Sequence, residues 1–417
     1  MSATFNATTV QGILKRYFKN SAVQNTIASK MSAIWKAMKK SSDGGGDFCS
    51  FTQVLSDPFT VSQDFAQGQT YATTSTVSPG LKFNMPWQEL SAPVRVSAKA
   101  NLLTATNKVA WFKAIGLAAA GALRMMNHVL SINALASGFG ELASSGITYG
   151  GSGASFTVAN GAINHFVQGM GIVGADTLDS ATLRSPTPIY VTDVNYSTST
   201  VTCGTALTTP GILDGDFVFL AGNRQNSATP VRLQPVGLRH WLPEVRPVVD
   251  TNIITLEGTL RSGTDRAYGQ FVDGMGQDDL DALIELAQSC VIIGNATKLT
   301  AYVSHRRYVE MAKALSSDRR FTDTTGNSGF FKLSVAASEI SVNIEIDRNA
   351  EDDVGYMLQD GAYEAIGAGE IPHIQDNGGQ WVRVSDDNSS ELRAYAVYAQ
   401  VMNDPAACGV TLFAPLS

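Results

Sequence analysis

The chain has 417 residues, 44% of them hydrophobic and only 16% charged, with 38 glycines, 14 prolines and a net charge of −7. That length can bury a substantial core in two or three domains, and the acidic total excludes a general nucleic-acid binder. Cys49, Cys203, Cys290 and Cys408 lie far apart without Cys/His pairing, which argues against a zinc site or a disulfide framework and fits a reducing cytoplasm.

The first 42 residues hold Lys15, Arg16, Lys19, Lys30, Lys36, Lys39 and Lys40 and no acid, leaving −14 on the other 375. A basic arm on an acidic body reads as an interaction segment; a solvated basic helix face is the plainer alternative. Two helical stripes run along it, Val10, Ile13, Leu14, Tyr17 and Phe18, then Val23, Ile27, Met31, Ile34, Trp35 and Met38. No continuous apolar stretch follows the basic residues, so no signal peptide is expected. Ser41, Ser42, Asp43 and the three glycines after them end the second helix as a hinge.

Residues 48–98 lose helical spacing. Aromatic and β-branched runs at 48–54, 59–65 and 82–87 flank a polar stretch at 70–76 and a Ser78-Pro79-Gly80 turn. This predicts an extended hairpin with too few apolar residues to fold alone, which either lies on a neighbour or stays mobile. Residues 107–136 predict a long helix, capped by Thr106 or Asn107 and ended by Ser137-Gly138. Lys113, Arg124 and His128 interrupt it, and its uncharged run 114–123 is too short to span a bilayer, so no membrane partner is expected.

After a Gly/Ser-rich loop at 144–155, residues 186–235 predict a small inserted β domain bounded by Pro186, Pro188, Pro230 and Pro235. Helices are expected at 277–290 and 305–316, and strands at 340–346, 355–358, 381–384, 392–402 and 409–413.

The motifs that could carry chemistry are weak. Gly169, Gly171 and Gly174 satisfy GxGxxG, but the segment before them is a poor strand and Pro186 and Pro188 interrupt the crossover that should follow. The run Asp347, Asn349, Glu351, Asp353 resembles a calcium loop with Asp352 where the sharp turn needs glycine, and reads better as a solvated acidic loop. His128, His165, His240, His305 and His373 lack metal-ligand spacing. No nucleophile elbow or P-loop is present, so the expectation is no catalytic residue, no metal and no cofactor.

The order of elements resembles the tailed-bacteriophage major capsid fold of the Hong Kong 97 type, an α+β fold. The resemblance rests on the run from Lys82 to Ser97 leading into the long helix, on 156–170 after it, and on 355–360, 371–373 and 392–405 as closing strands. It implies an N-terminal arm over 1–47, an E-loop over 48–98, and a peripheral domain with its spine helix over 99–155. The axial domain then begins at 156–185, with the inserted β domain at 186–235, and continues over 236–338. Peripheral strands at 339–402 and a return to the axial domain at 403–417 complete it.

The implied function is a virion shell, assembled in the host bacterial cytoplasm from hexamers and pentamers around double-stranded DNA held non-specifically. The implied partners are a portal protein, a separate scaffolding protein (the arm leaves no room for a fused one) and an optional decoration protein. Lys15, Arg16, Lys19, Lys30, Lys36, Lys39 and Lys40 become candidates to face the interior. Ile13, Leu14, Tyr17, Phe18, Ile34, Trp35 and Lys82 become candidates for inter-subunit contact. Some relatives cross-link an E-loop lysine; Lys82, near the expected turn, is the sole candidate here, and no cross-link is expected. An encapsulin-type compartment, a phage tail component and a nucleotide-binding enzyme are the alternatives.

Overall fold

The computed structural model describes residues 4–5, 31–54, 63–64, 66–67, 80–97, 108–143, 145–151, 153–159, 161–178, 183–184, 187–208, 211–223, 233–244, 255–256, 259–260, 266–318, 333–337, 340–374, 382–384 and 389–416. Three sheets, a long helix and a two-stranded ribbon organise them.

The central sheet has the strand order Gln270–Gly274, Gly409–Phe413, Val354–Gln359, Leu299–Val303, Ile340–Ile346, Leu333–Ala337. Val272, Ala301, Val303, Met357 and Phe413 form its apolar face. Against them lies the helix Asp279–Gly294, whose buried Ala282, Leu283, Leu286, Ala287 and Cys290 recur at helical spacing. Asp279 and Asp281 favour its N-terminal turn, and Asn295 closes it in a left-handed conformation. Placing Ile340–Ile346 and Val354–Gln359 here corrects the expected boundary at 338. The chain leaves this sheet only at about Asp360, because the alternate apolar residues Val342 and Ile344 join the same core cluster.

The second sheet is built on the 14-residue strand Ser389–Met402, which pairs over ten residues with Gln88–Ser97 and on its other side with Tyr363–Gly367. Lys39–Ser41 extends it beyond Tyr363–Gly367, and Thr4–Phe5 pairs in parallel with Arg95 and Val96. Leu392, Ala394, Ala396 and Tyr398 alternate onto one buried face. The small alanines let the helix Lys108–Asn133 approach closely, and Met126 and Leu130 share their cluster. That helix fits the expectation at 107–136 and is about 39 Å long. Among the described residues no helix is long and apolar enough to cross a membrane.

The third sheet runs Phe217–Leu220, Gly171–Ala175, Ile189–Asn195, Thr200–Cys203, Ser155–Thr157. Its boundary is therefore earlier than the expected 186, because Ser155–Thr157 and Gly171–Ala175 are inside it. Phe156, Phe166, Ile172, Val191, Val201 and Val218 form one core. The GxGxxG run lies in and beside the strand Gly171–Ala175, not at a strand-to-helix turn. A Cβ at Gly174 would sit 2.9 Å from Ile212, so packing accounts for that glycine. All four cysteines are buried and free.

Candidate assembly surfaces and the buried junction that positions them

The expected hairpin is a ribbon of Phe48–Val54 against Gly80–Pro86, in register from Phe48↔Pro86 to Val54↔Gly80. Strand alternation gives it two different faces. Cys49, Gln53, Phe83 and Met85 are buried on one. There Phe51 stacks on Phe83 at 5.2 Å, and both meet Trp241, at 6.0 and 5.6 Å. The Gln53 amide donates to the Arg266 carbonyl at 3.0 Å. The ribbon base thus has a core within its own chain, contrary to the expectation of none. Trp241, in the short helix Leu238–Trp241, was not singled out from sequence, since a four-residue helix leaves no periodic trace.

The other face carries Phe48, Ser50, Thr52, Val54, Lys82 and Asn84, all exposed, with Phe48 at 56% and Val54 at 59%. Lys82 lies on this face in the ladder opposite Thr52.

Beyond Thr4–Phe5, the arm is described again from Met31 onward. Ser32 caps the helix Ala33–Ala37, accepting from the Trp35 amide while its own hydroxyl donates to Asp347. Its backbone N–H donates to the Ser131 hydroxyl of the long helix at 3.1 Å, and the Ile34 amide donates to Asp347 at 2.9 Å. Ile34 and Trp35 are fully buried, with Trp35 edge-on to Tyr398 at 6.2 Å. This removes both from the inter-subunit candidates, because the cap seats them in the chain's own core.

Lys36, Lys39 and Lys40 are exposed. Lys39 pairs with Glu364 at 3.3 Å, while Lys40 lies over the Trp35 ring at 4.9 Å with its pKa lowered by burial. Ile13, Leu14, Tyr17, Phe18, Lys15, Arg16, Lys19 and Lys30 lie outside the described residues.

Most of the acidic run 347–353 is buried, correcting its reading as a solvated loop: Asp347, Asn349, Glu351 and Asp352 are each at most 6% exposed. It is the junction of the sheets. Asp352 accepts from Ser304 at 2.6 Å and pairs with Arg306 at 3.1 Å. Arg307 bridges the Asp352 carbonyl and both Asp279 oxygens. His165, from the third-sheet unit, spans the Leu142 and Asn349 carbonyls at 2.6 and 2.8 Å. Gly161 lets that unit close on the loop: its φ is +74° and a Cβ would sit 3.0 Å from the Asp352 carboxylate.

Arg239 holds Glu351 at 3.1 Å, Glu244 at 3.3 Å and Glu141 at 3.6 Å. Burial opposes its charge, but Glu351, Tyr356, Glu244 and Glu141 outweigh it and raise its pKa. Every role found here is a structural tie. Among the described residues no three His, Cys, Asp or Glu side chains group as a metal site.

No protein-family model matches the sequence, and no curated protein matches it. Solved structures do. The capsid of an empty GTA particle is similar at 10% identity and a TM-score of 0.45, covering 94% of this chain and 100% of that one. The capsid of Cyanophage P-SCSP1u is similar at 8% identity and a TM-score of 0.45, covering 96% and 94%. The capsid asymmetric unit of Cyanophage A-1(L) reaches a TM-score of 0.52 at 10% identity, covering 94% and 96%. On that last correspondence, which covers 94% of the chain, the chain shares its fold with a phage capsid subunit.

Proposed function

We propose that this chain is the major capsid protein of a tailed bacteriophage, a structural subunit and not an enzyme. The observation that carries the reading is the likeness in fold to the Cyanophage A-1(L) capsid over 94% of the chain. Copies assemble as hexamers and pentamers into an icosahedral head that encloses double-stranded DNA. The ribbon serves as the E-loop: its inner face is fixed to its own subunit, and Phe48, Val54 and Lys82 on its outer face meet the adjacent one. A surface repeated at every contact needs only modest energy per copy.

The basic arm, with Lys15, Arg16, Lys19 and Lys30, faces the interior and screens DNA without sequence preference, a contact that weakens with salt. Portal and scaffolding proteins join assembly in the host cytoplasm. On this reading no cross-link joins subunits, so boiled particles run as one monomer band; a ladder that Lys82→Ala abolishes would contradict this. The function itself is tested by electron microscopy of the purified chain with assay of the nucleic acid it encloses. Closed shells lacking DNA and holding protein cargo would point to a compartment shell instead.

A further inference from the structure

Where the third-sheet unit meets the loop 347–353, the polar groups do not balance. The Oε1 atom of Glu141 accepts from the Ser137 amide and faces Arg239, yet its Oε2 has no hydrogen-bond partner among the described residues. The backbone of Asn349 is fully used: its N–H donates to Asp347 at 2.8 Å and its carbonyl faces His165 at 2.8 Å. Its side-chain Nδ2 and Oδ1 are both unpartnered. Each residue is only 2% exposed. A buried polar group left without a partner carries its full desolvation penalty.

Both side chains line one cavity, together with Arg239, Glu351 and apolar Ile132 and Leu142. The cavity has room for about 10 Å³ of a water-sized sphere's centre, which is on the order of what one water needs. Glu141 Oε2 requires a donor, and Asn349 offers both a donor and an acceptor. A metal cation would supply no proton to Glu141 and would face the Arg239 guanidinium, already 3.6 Å from that carboxylate, in a weakly screening interior.

We propose that this cavity binds a single ordered water molecule, which donates to Glu141 Oε2 and hydrogen-bonds the Asn349 side-chain amide. The water ties the third-sheet unit to the central-sheet loop and completes the polar network around Arg239. The inference rests on packing alone and holds whether or not the chain forms a shell.

The test is an experimental map of the full chain at a resolution that shows ordered solvent, paired with melting curves in sodium, potassium and choline chloride at equal ionic strength. The expected result is one solvent peak within hydrogen-bonding distance of Glu141 Oε2 and an Asn349 side-chain atom, with equal melting temperatures in the three salts. A dry cavity, or an Asn349 side chain turned to a protein partner, overturns the proposal. So does a peak replaced by thallium, or a melting temperature that follows the cation, either of which would make it a cation site.

Discussion

Asp353 is where a single proton acts on the junction. Burial first, and then the Glu351 carboxylate, push it up to about 6 from an ordinary 3.8. The folded chain therefore binds this proton more tightly than the unfolded one. The resulting stability is fully present below about pH 4 and is lost as the pH rises through about 6. Asp279 and Asp404, both raised by burial, slope the same way. At Glu391 hydrogen bonds from Arg393 and Arg95 outweigh burial and lower the pKa, so it slopes oppositely. Comparing the parent with Asp353→Asn isolates the one group: the parent should gain melting temperature on the variant between pH 7 and pH 5, and parallel curves would refute the assignment. Asp347 acts through its hydrogen bonds. It holds Ser32, Ile34 and Asn349 at once, so Asp347→Ala should cost about 3 kcal/mol or more in urea unfolding.

At the scale of elements, the ribbon separates folding from association. Phe83→Ala removes a fully buried ring and should cost about 3–5 kcal/mol. Phe48→Ser with Val54→Ser changes only exposed positions, so each should alter subunit stability by about 0.5 kcal/mol or less while particle yield falls. Unchanged yield would take the outer face out of the assembly surface. The third sheet makes the opposite point. Joining Ser185 directly to Gly237 removes Ile189–Asn195, Thr200–Cys203 and Phe217–Leu220, three of its five strands. The product should be insoluble or lack a cooperative melt, whereas a free-standing insertion at 186–235 would leave a folded remainder.

Much of this was legible in the sequence: the helix at 277–290 with Leu280, Leu283, Ile284 and Ala287, the run that becomes Lys108–Asn133, and the aromatic and β-branched runs at 48–54 and 82–87 that become the ribbon. Partnership was not. Phe156 and Ile172 join the third sheet through strands far along the chain, and strand spacing says nothing about which sheet a strand enters. Asp347, Glu351 and Asp352 looked solvated because their partners Ser32, Arg239 and Arg306 are remote in sequence.

For the whole molecule, the fold closes through chain crossings. The chain leaves the central sheet after Val354–Gln359, builds Tyr363–Gly367 and Ser389–Met402 into the second sheet, and returns with Gly409–Phe413. Ser32, Asp347, His165 and Arg239 tie the arm, the central-sheet loop and the third-sheet unit together. The central claim is that this subunit builds a DNA-containing head. It is met most directly by electron microscopy of particles purified from cells expressing the chain with its phage partners. The account predicts closed icosahedral shells of hexamers and pentamers, each ribbon laid over a neighbouring subunit with Phe48 and Val54 in the contact. Monomers only, open tubes, or shells in which the ribbon touches no neighbour would contradict it.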